Sequence, residues 1–545
     1  METFDDWSLT LVTFLPVAAA LVVMAIPRAS EELHKLVALC ASLLVAVLGI
    51  LITFRFDFDA AGDLQFAADE TWIELINSRY IVAIDGISLP LILLTMLIVP
   101  LCIIYSWNHF PEPHNPKAFL ALILILETGM IGTFVAQDLI LFFVFFEVVL
   151  LPMFFMIAVW GGPERKYASL KFFLFTLFGS ALMILSFLAL FFLAENAAGE
   201  VLRTFDMREL SAWGGAGLAR GTGLLIFGGM FMGFGIKVPM FPFHTWLPDA
   251  HTQAPTVGSV ILAAVLLKLG TYGFVRIALP ILPEAAVEWA PWIGALAVIG
   301  IIYGALGCLA QTDMKRLIAF SSVAHMGFVM LGIATLTDFG INAAIFGMVA
   351  HGLITGMLFF IAGSAKERYH TLEIDRLGGL LVQAPHLGWI LGFCVMASLG
   401  LPGLARFWGE FPAILSSYDP ANGVSEEIFR AYMVIAALGT VLAAGYLLWL
   451  LQRTAFGTPS DEFADDPEIV DVSPVEWVAW TPILALILVL GIYPNLLFKT
   501  TDDAVVNSLN PCLSVSETDQ AEIEALDCGA VYDLGNVVET ASEGE

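Results

Sequence analysis

The stretch FFVFFEVVLLPMFFMIAVWGG, residues 142–162, reads as a membrane-crossing helix with one acid in its middle. A bilayer core about 30 Å thick needs roughly 20 apolar residues at about 1.5 Å each, and Glu147 is the one charge in this run. Similar runs recur from end to end of the 545-residue chain, which is 59% hydrophobic and 14% charged, with a mean hydropathy of +0.86. Soluble domains are only roughly 45–50% apolar. An ordinary soluble enzyme is excluded, and the chain reads as one all-α polytopic membrane bundle.

Apolar windows, divided by Gly, Pro and charge breaks, give about 14 spans: 9–27, 34–54, 81–106, 118–136, 138–160, 171–194, 222–241, 256–279, 289–311, 317–336, 340–363, 386–417, 428–455 and 474–497. Pro239 and Pro242 interrupt the end of the seventh, and Gly400, Pro402 and Gly403 the twelfth, so both are expected to be broken helices. They stand five spans apart, as two inverted five-helix units over 118–279 and 289–455 would place them. The frequency of Pro and Gly in membrane helices accounts for the breaks equally well without a repeat. Three helices in 1–117 precede these units; span 14 (474–497) and an extramembrane tail (498–545) follow.

The net charge is −28, and the tail holds 11 acids against the single base Lys499, which argues against nucleic acid as a partner. With the N-terminus outside, inner loops hold twelve bases and outer segments seven. The positive-inside rule then places both termini on the outer, periplasmic side of a bacterial inner membrane. Met1 to Leu9 contains no base, so the first span is expected to stay as an anchor rather than to be cleaved. Cys40, Cys102, Cys308 and Cys394 lie in apolar runs without metal-ligand spacing, so neither zinc nor an iron–sulfur cluster is expected. Cys512 and Cys528, in the tail, are expected to close a disulfide if the tail lies in an oxidising compartment; two free thiols are the alternative.

Inside the expected spans stand Glu127, Glu147, Lys237, Lys268, His325, His351 and Glu410. Each central charge costs at least roughly 2.5–3.5 kcal/mol on insertion scales, so a purely structural bundle has reason to discard them. Glu147 cannot face lipid without that cost and is expected against protein or water. Lys237 lies two residues before Pro239, where freed backbone carbonyls attract water. A carboxylate moving near Lys268 could switch it between proton donor and acceptor. His325 and His351 titrate nearer neutrality and can bridge such steps, although a lone helical His is more often a hydrogen-bonded core residue. Ordered along the chain, these groups have the composition of a lateral proton wire. Fixed salt bridges or protonated buried acids are the structural alternative. The residues alone do not name an energy source.

Four stretches carry a resemblance: residues 142–162 quoted above, GIKVPMFPFHTWLPDAHTQAPTVGS (235–259), QTDMKRLIAFSSVAHMG (311–327) and AHGLITG (350–356). From AIDGIS (83–88) to the end of span 14 the chain resembles the antiporter-like membrane subunits of respiratory complex I, NADH:quinone oxidoreductase, and among them the subunit M type, subunit 4 in mitochondria. The resemblance implies 14 helices, two inverted repeats and broken helices 7 and 12. It implies that Glu147 and Lys237 are the helix-5 and helix-7 charges, Lys268 the central lysine, His325 and His351 the connecting histidines, and Glu410 the terminal carboxylate. Protons are then the transported species, and FMN, iron–sulfur clusters and NADH are bound by other subunits. Partners in the bilayer are the other membrane subunits, the antiporter-like L and N above all. The chain departs from the family pattern at Ala405-Arg406-Phe407-Trp408-Gly409-Glu410, where Arg406 introduces a cation one turn before the terminal acid; Arg406 and Glu127 are therefore modulating candidates. Mrp-type cation/proton antiporters and membrane hydrogenases share the fold and remain alternatives, as does a structural spacer between pump modules.

Overall fold

The computed structural model describes residues 2–195, 199–464, 466–467 and 469–509. Twelve helices among them are long and apolar enough to cross a membrane, against about fourteen expected spans. The difference lies in the seventh and twelfth, each built from shorter pieces. The helix Arg220–Lys237 stops just before Pro239 and resumes as Trp246–Gln253. Proline lacks the N–H that would continue the ladder. The Trp246 indole donates to the freed Ile236 carbonyl at 3.0 Å. The twelfth is divided into Pro385–Ser398 and Ala405–Ser416, and the turn between them places Gly400 and Gly403 at φ of 73° and 93°, which only glycine adopts cheaply.

Two further interruptions were not expected. The fifth span divides at Val149 into Leu139–Val148 and Leu150–Trp160, two residues past Glu147. The eighth contains two π-helical segments, Leu262–Leu266 and Phe274–Ala278, on either side of Lys268. Such single-turn widenings inside helices frequently mark functional sites. Periodicity does not reveal them, because the residues around them are mostly apolar and a widened turn leaves the pattern of such a run unchanged.

The all-α reading also misses a two-stranded antiparallel hairpin, Gln65–Ile73 with Ser78–Ile84, between the second and third spans. Asn77, in the left-handed region at φ 51°, makes its turn, and Arg79 and Asp69 face each other across it at 2.7 Å. The hairpin reaches the membrane part through Gln137, whose N–H donates to Ile81 O at 2.9 Å. Its second strand occupies 81–84, which the sequence reading assigned to the start of the third span; the observed helix is Ser88–Ser106. The fourteenth span is likewise shorter, Pro474–Ile492, and a separate helix Asn495–Leu509 follows the turn at Tyr493 and Pro494. That helix is tied to the bundle by Thr501 Oγ1 donating to Asn342 Oδ1 at 2.6 Å and by Ser508 Oγ donating to Val275 O at 3.1 Å. Cys512 and Cys528, with the disulfide expected of them, lie outside the described residues. Cys40, Cys102, Cys308 and Cys394 are free.

Burial sorts the helices into an inner and an outer set. The central apolar stretch of Asp338–Tyr369 is wholly buried, and in those of Thr256–Ile281 and Met314–Ala334 94% of residues are buried, whereas in that of Glu31–Arg55 only 28% are. The inner three carry His351, Lys268 and His325; the outer ones turn Leu, Val and Phe outward, as a bilayer allows and water does not. Small residues let these helices approach closely. A Cβ on Gly491 would lie 2.2 Å from Gly403 O and 2.4 Å from Leu404 Cα, so the last span rests directly on the backbone of the break in the twelfth. The Trp408 indole donates to Gly491 O at 2.9 Å beside it. Gly491→Ala is expected to cost about 1–3 kcal/mol through overpacking and to lower the thermal stability of the assembled protein. Gly445→Ala, where nothing stands within 4 Å, leaves the thermal midpoint unchanged or raises it; equal behaviour of the two variants in thermal unfolding refutes the packing argument.

Candidate functional site

The inner helices bring five of the singled-out side chains into one buried cluster. Lys268, on the segment between the two π-helical turns, contacts His351 Nδ1 through its ammonium nitrogen at 2.7 Å and also donates to Ala263 O within the first π turn. His351 Nε2 is buried with no partner. The ring of His325 lies 6.2 Å from that of His351, tilted by 65°. His325 Nδ1 is 2.7 Å from Glu410 Oε1, and its Nε2 lies 3.1 Å from the Tyr446 hydroxyl and 3.4 Å from Ser398 Oγ. Arg406 donates to Glu410 Oε1 at 3.1 Å across one turn and to Thr355 Oγ1 at 3.4 Å. It is 2% exposed and does not snorkel; its Nε is buried without a partner.

Charge counting restricts what this cluster can hold. Lys268, Arg406 and two imidazoles share one carboxylate, Glu410. Like charges a few ångströms apart in a poorly solvated interior repel by several kcal/mol, so the groups cannot all be charged together, and adding a proton at one end opposes one at the other. The separation between the two ring centres exceeds a direct hydrogen bond; His351 Nε2 is bare, whereas both nitrogens of His325 have partners.

The other three expected charges, Glu147, Lys237 and Glu127, make no hydrogen bond into this cluster among the described residues. Glu147 is partly exposed on the chain, and its Oε1 accepts from Ser180 Oγ at 2.5 Å. Lys237 is 2% exposed; it donates to Phe146 O at 3.5 Å and sits 4.3 Å above the Phe146 ring. Among the described residues no ion pair joins Glu147 to Lys237, contrary to the simplest reading of an acid and a base on neighbouring helices: the lysine turns to the face of the residue before the glutamate. The helices of Lys237 and Lys268 do meet. Gly270, two residues past Lys268, abuts Phe234 O at 2.6 Å and Lys237 Cβ at 3.1 Å, measured from where its own Cβ would stand. Glu127 is fully buried and neither carboxyl oxygen has a partner.

Four participants were missed by the sequence reading. Tyr446, Ser398, Thr355 and Ser180 are hydroxyls, common enough in membrane helices that only a neighbour in space distinguishes them. A fifth, His251, lies within the quoted stretch 235–259 and had a usable signal, being a histidine between two breaks. It is 0% exposed, neither ring nitrogen has a partner, and its ring stacks on Phe359 at 4.4 Å. Close to it a cleft of about 600 Å³ opens at one end of the bundle, lined by Gln253, Ala254, Lys315 and Glu367 among others. At the opposite end Arg276 and Asp85 form an ion pair at 2.5 Å on the wall of a cleft of about 330 Å³. Among the described residues no group of three or more His, Cys, Asp or Glu side chains could hold a metal ion.

Known proteins share both the sequence and this arrangement of helices. Residues 136–425 match the family described as NADH:quinone oxidoreductase/Mrp antiporter, transmembrane, and residues 18–133 match the amino terminus of NADH-ubiquinone oxidoreductase chain 4. NADH-quinone oxidoreductase subunit M of Rhodobacter capsulatus is 41% identical over 90% of this chain and 93% of its own. NADH-ubiquinone oxidoreductase chain 4 of Chondrus crispus is 38% identical over 93% of this chain and 98% of its own. A chain of respiratory complex I from Thermus thermophilus with bound NADH superimposes with a TM-score of 0.79 at 28% identity, covering 95% of this chain and 99% of that one. A chain of the Mrp complex from Dietzia has the same fold, at a TM-score of 0.81 and 18% identity, over 96% and 99%. With a family match over more than half its length and relatives about 40% identical over nine-tenths of it, the chain belongs to the subunit M, or chain 4, family of NADH-quinone oxidoreductases, within the wider NADH:quinone oxidoreductase/Mrp antiporter family.

Proposed function

We propose that this chain is a proton-translocating membrane subunit of a NADH:quinone oxidoreductase, driven by redox chemistry in other subunits. NADH, flavin and iron–sulfur clusters are theirs. The L and N antiporter-like subunits are its neighbours in a bacterial inner membrane, and both termini lie on the periplasmic side. The units 118–279 and 289–455 act as two half-channels, one centred on Lys237 and the other on Glu410, meeting at Lys268.

The single observation that carries this reading is the alignment of two hydrogen-bonded pairs, Lys268 with His351 and His325 with Glu410, each at 2.7 Å, whose imidazole ring centres stand 6.2 Å apart. A proton entering from the cleft beside Lys315 passes to Lys268 and then to His351. A water carries it to His325, and Glu410 holds it at the far end. Arg406 fixes the orientation of Glu410, and Tyr446 that of His325. Glu147 and Lys237 act on the first half-channel: a charge change at Glu147 alters the field at Lys237, and through the abutting helices at Lys268. An Mrp-type antiporter rests on the same fold. Subunits that co-purify with the chain separate the two, because flavin-bearing and quinone-binding partners belong to the oxidoreductase alone. A spacer between pump modules is the rival of another kind, and it requires that Lys268 be dispensable.

Three expected outcomes follow from the geometry, each read as NADH-driven proton uptake into vesicles alongside NADH oxidation and complex assembly. Glu147→Gln assembles but loses about tenfold or more of its pumping, with Glu147→Asp much milder; near-normal pumping in the assembled glutamine variant would falsify the role of Glu147. Lys268→Ala and Lys268→Arg both assemble and both fail, the second because guanidinium does not release its proton in a protein. Full activity in the arginine variant excludes a protonation cycle there, and intact coupling in the alanine variant favours the spacer. Tyr446→Phe removes one hydrogen bond to His325, a change in the order of about 0.5–1.5 kcal/mol, and slows pumping about two- to tenfold at unchanged assembly. An unchanged rate removes Tyr446 from the path.

A further inference from the structure

A groove of about 700 Å³ lies outside the buried axis, between the first, second and fourth spans and the end of the fifth. Its deeper wall is hydrocarbon-like, formed by Met24, Leu122, Ile125 and Phe155. Its rim is different in kind. Arg28, in the turn between the first two helices, is exposed and makes no ion pair among the described residues. Lys117, in the first turn of the helix Pro116–Val135, spends one N–H on Ile26 O at 2.7 Å and keeps two free. His34 is 1% exposed, lines the groove and has a buried Nε2 with no partner. Glu31 is the acid at this rim, and its carboxylate is already held by Lys35 at 2.9 Å and His114 at 3.0 Å. The helices that begin at Glu31 and Pro116 both point their N-termini toward the rim, which adds the favourable end of two helix dipoles.

An apolar trough at membrane depth that ends in unpaired cations and an unsatisfied imidazole matches one class of molecule. We propose that this groove binds an anionic phospholipid, its phosphate held by Arg28 and Lys117 with His34 Nε2 as a further hydrogen-bond partner, and an acyl chain lying along Leu122, Ile125 and Phe155. The volume is within the range of about 300–1,000 Å³ of sites for small ligands, enough for the headgroup and upper chain, with the remainder in the bilayer. In the orientation proposed above the headgroup belongs to the cytoplasmic leaflet, where basic pockets between helices recognise anionic lipid.

Native mass spectrometry of the intact detergent-solubilised complex tests this, after exchange into mixed micelles holding phosphatidylglycerol and phosphatidylcholine. The wild type retains phosphatidylglycerol in preference to phosphatidylcholine. Arg28→Gln weakens that retention about fivefold, and Arg28→Gln with Lys117→Gln about thirtyfold; Arg28→Lys restores most of it. Ile125→Trp, which fills the trough and leaves every charge in place, releases the lipid as well. Equal phosphatidylglycerol retention by wild type and the double variant overturns the proposal, as does parallel loss of both lipids. Displacement of the lipid by excess inorganic phosphate also overturns it, since the groove then recognises a free anion rather than a lipid.

Discussion

Hydrocarbon does not solvate charge, and that constraint governs this protein from its centre outward. Lys268, His351, His325, Glu410 and Arg406 are tolerable at membrane depth only because each supplies the hydrogen-bond partner another lacks. Removing one leaves its neighbour buried and unpaired, which costs more than the pair contributes. The three helices that carry Lys268, His325 and His351 are therefore the most deeply buried of the chain, and the apolar helices form a sheath around them.

The breaks in the helices follow from the same requirement. An unbroken helix satisfies its own backbone and offers a buried side chain no polar surroundings. Beside several of the charges within the spans the backbone departs from regular α-helix: past Lys237, before Arg406, two residues after Glu147, and on both sides of Lys268. The freed groups are then recovered locally, as the Ile236 carbonyl is by Trp246. Lys268 itself donates to a carbonyl of the widened turn, a contact that regular i to i−4 bonding leaves no room for.

Much of this was legible in the sequence because charges inside apolar runs are conspicuous. Lys268, His325, His351 and Glu410 were singled out by position alone, and the spacing of Arg406 to Glu410 gave their contact. Proline and glycine announced the breaks in the seventh and twelfth spans. Other features had no such mark. The widened turns around Lys268 are built of LAAVL and FVRIA, mostly apolar runs whose pattern suits either helix type. Tyr446 and Ser398 matter only through His325, which is distant in sequence. The direction of Lys237, onto Phe146 rather than Glu147, is a choice of rotamer and lies below the resolution of any spacing argument. The hairpin at 65–84 alternates in the manner of a strand, but a reading tuned to 20-residue apolar windows absorbs its second strand into the next span.

Glu147 differs from the buried cluster: it holds a single serine hydroxyl and remains partly exposed on its own chain, midway along the span 139–160. A newly inserted copy that has met no neighbour thus shows the bilayer an acid, at a cost of about 2.5–3.5 kcal/mol if charged, and the assembled copy does not where another polypeptide covers that face. Biogenesis inherits the difference. Covering of that face by another polypeptide would complete the burial of Glu147, so a side chain proposed for transport would also distinguish an orphan from an installed subunit.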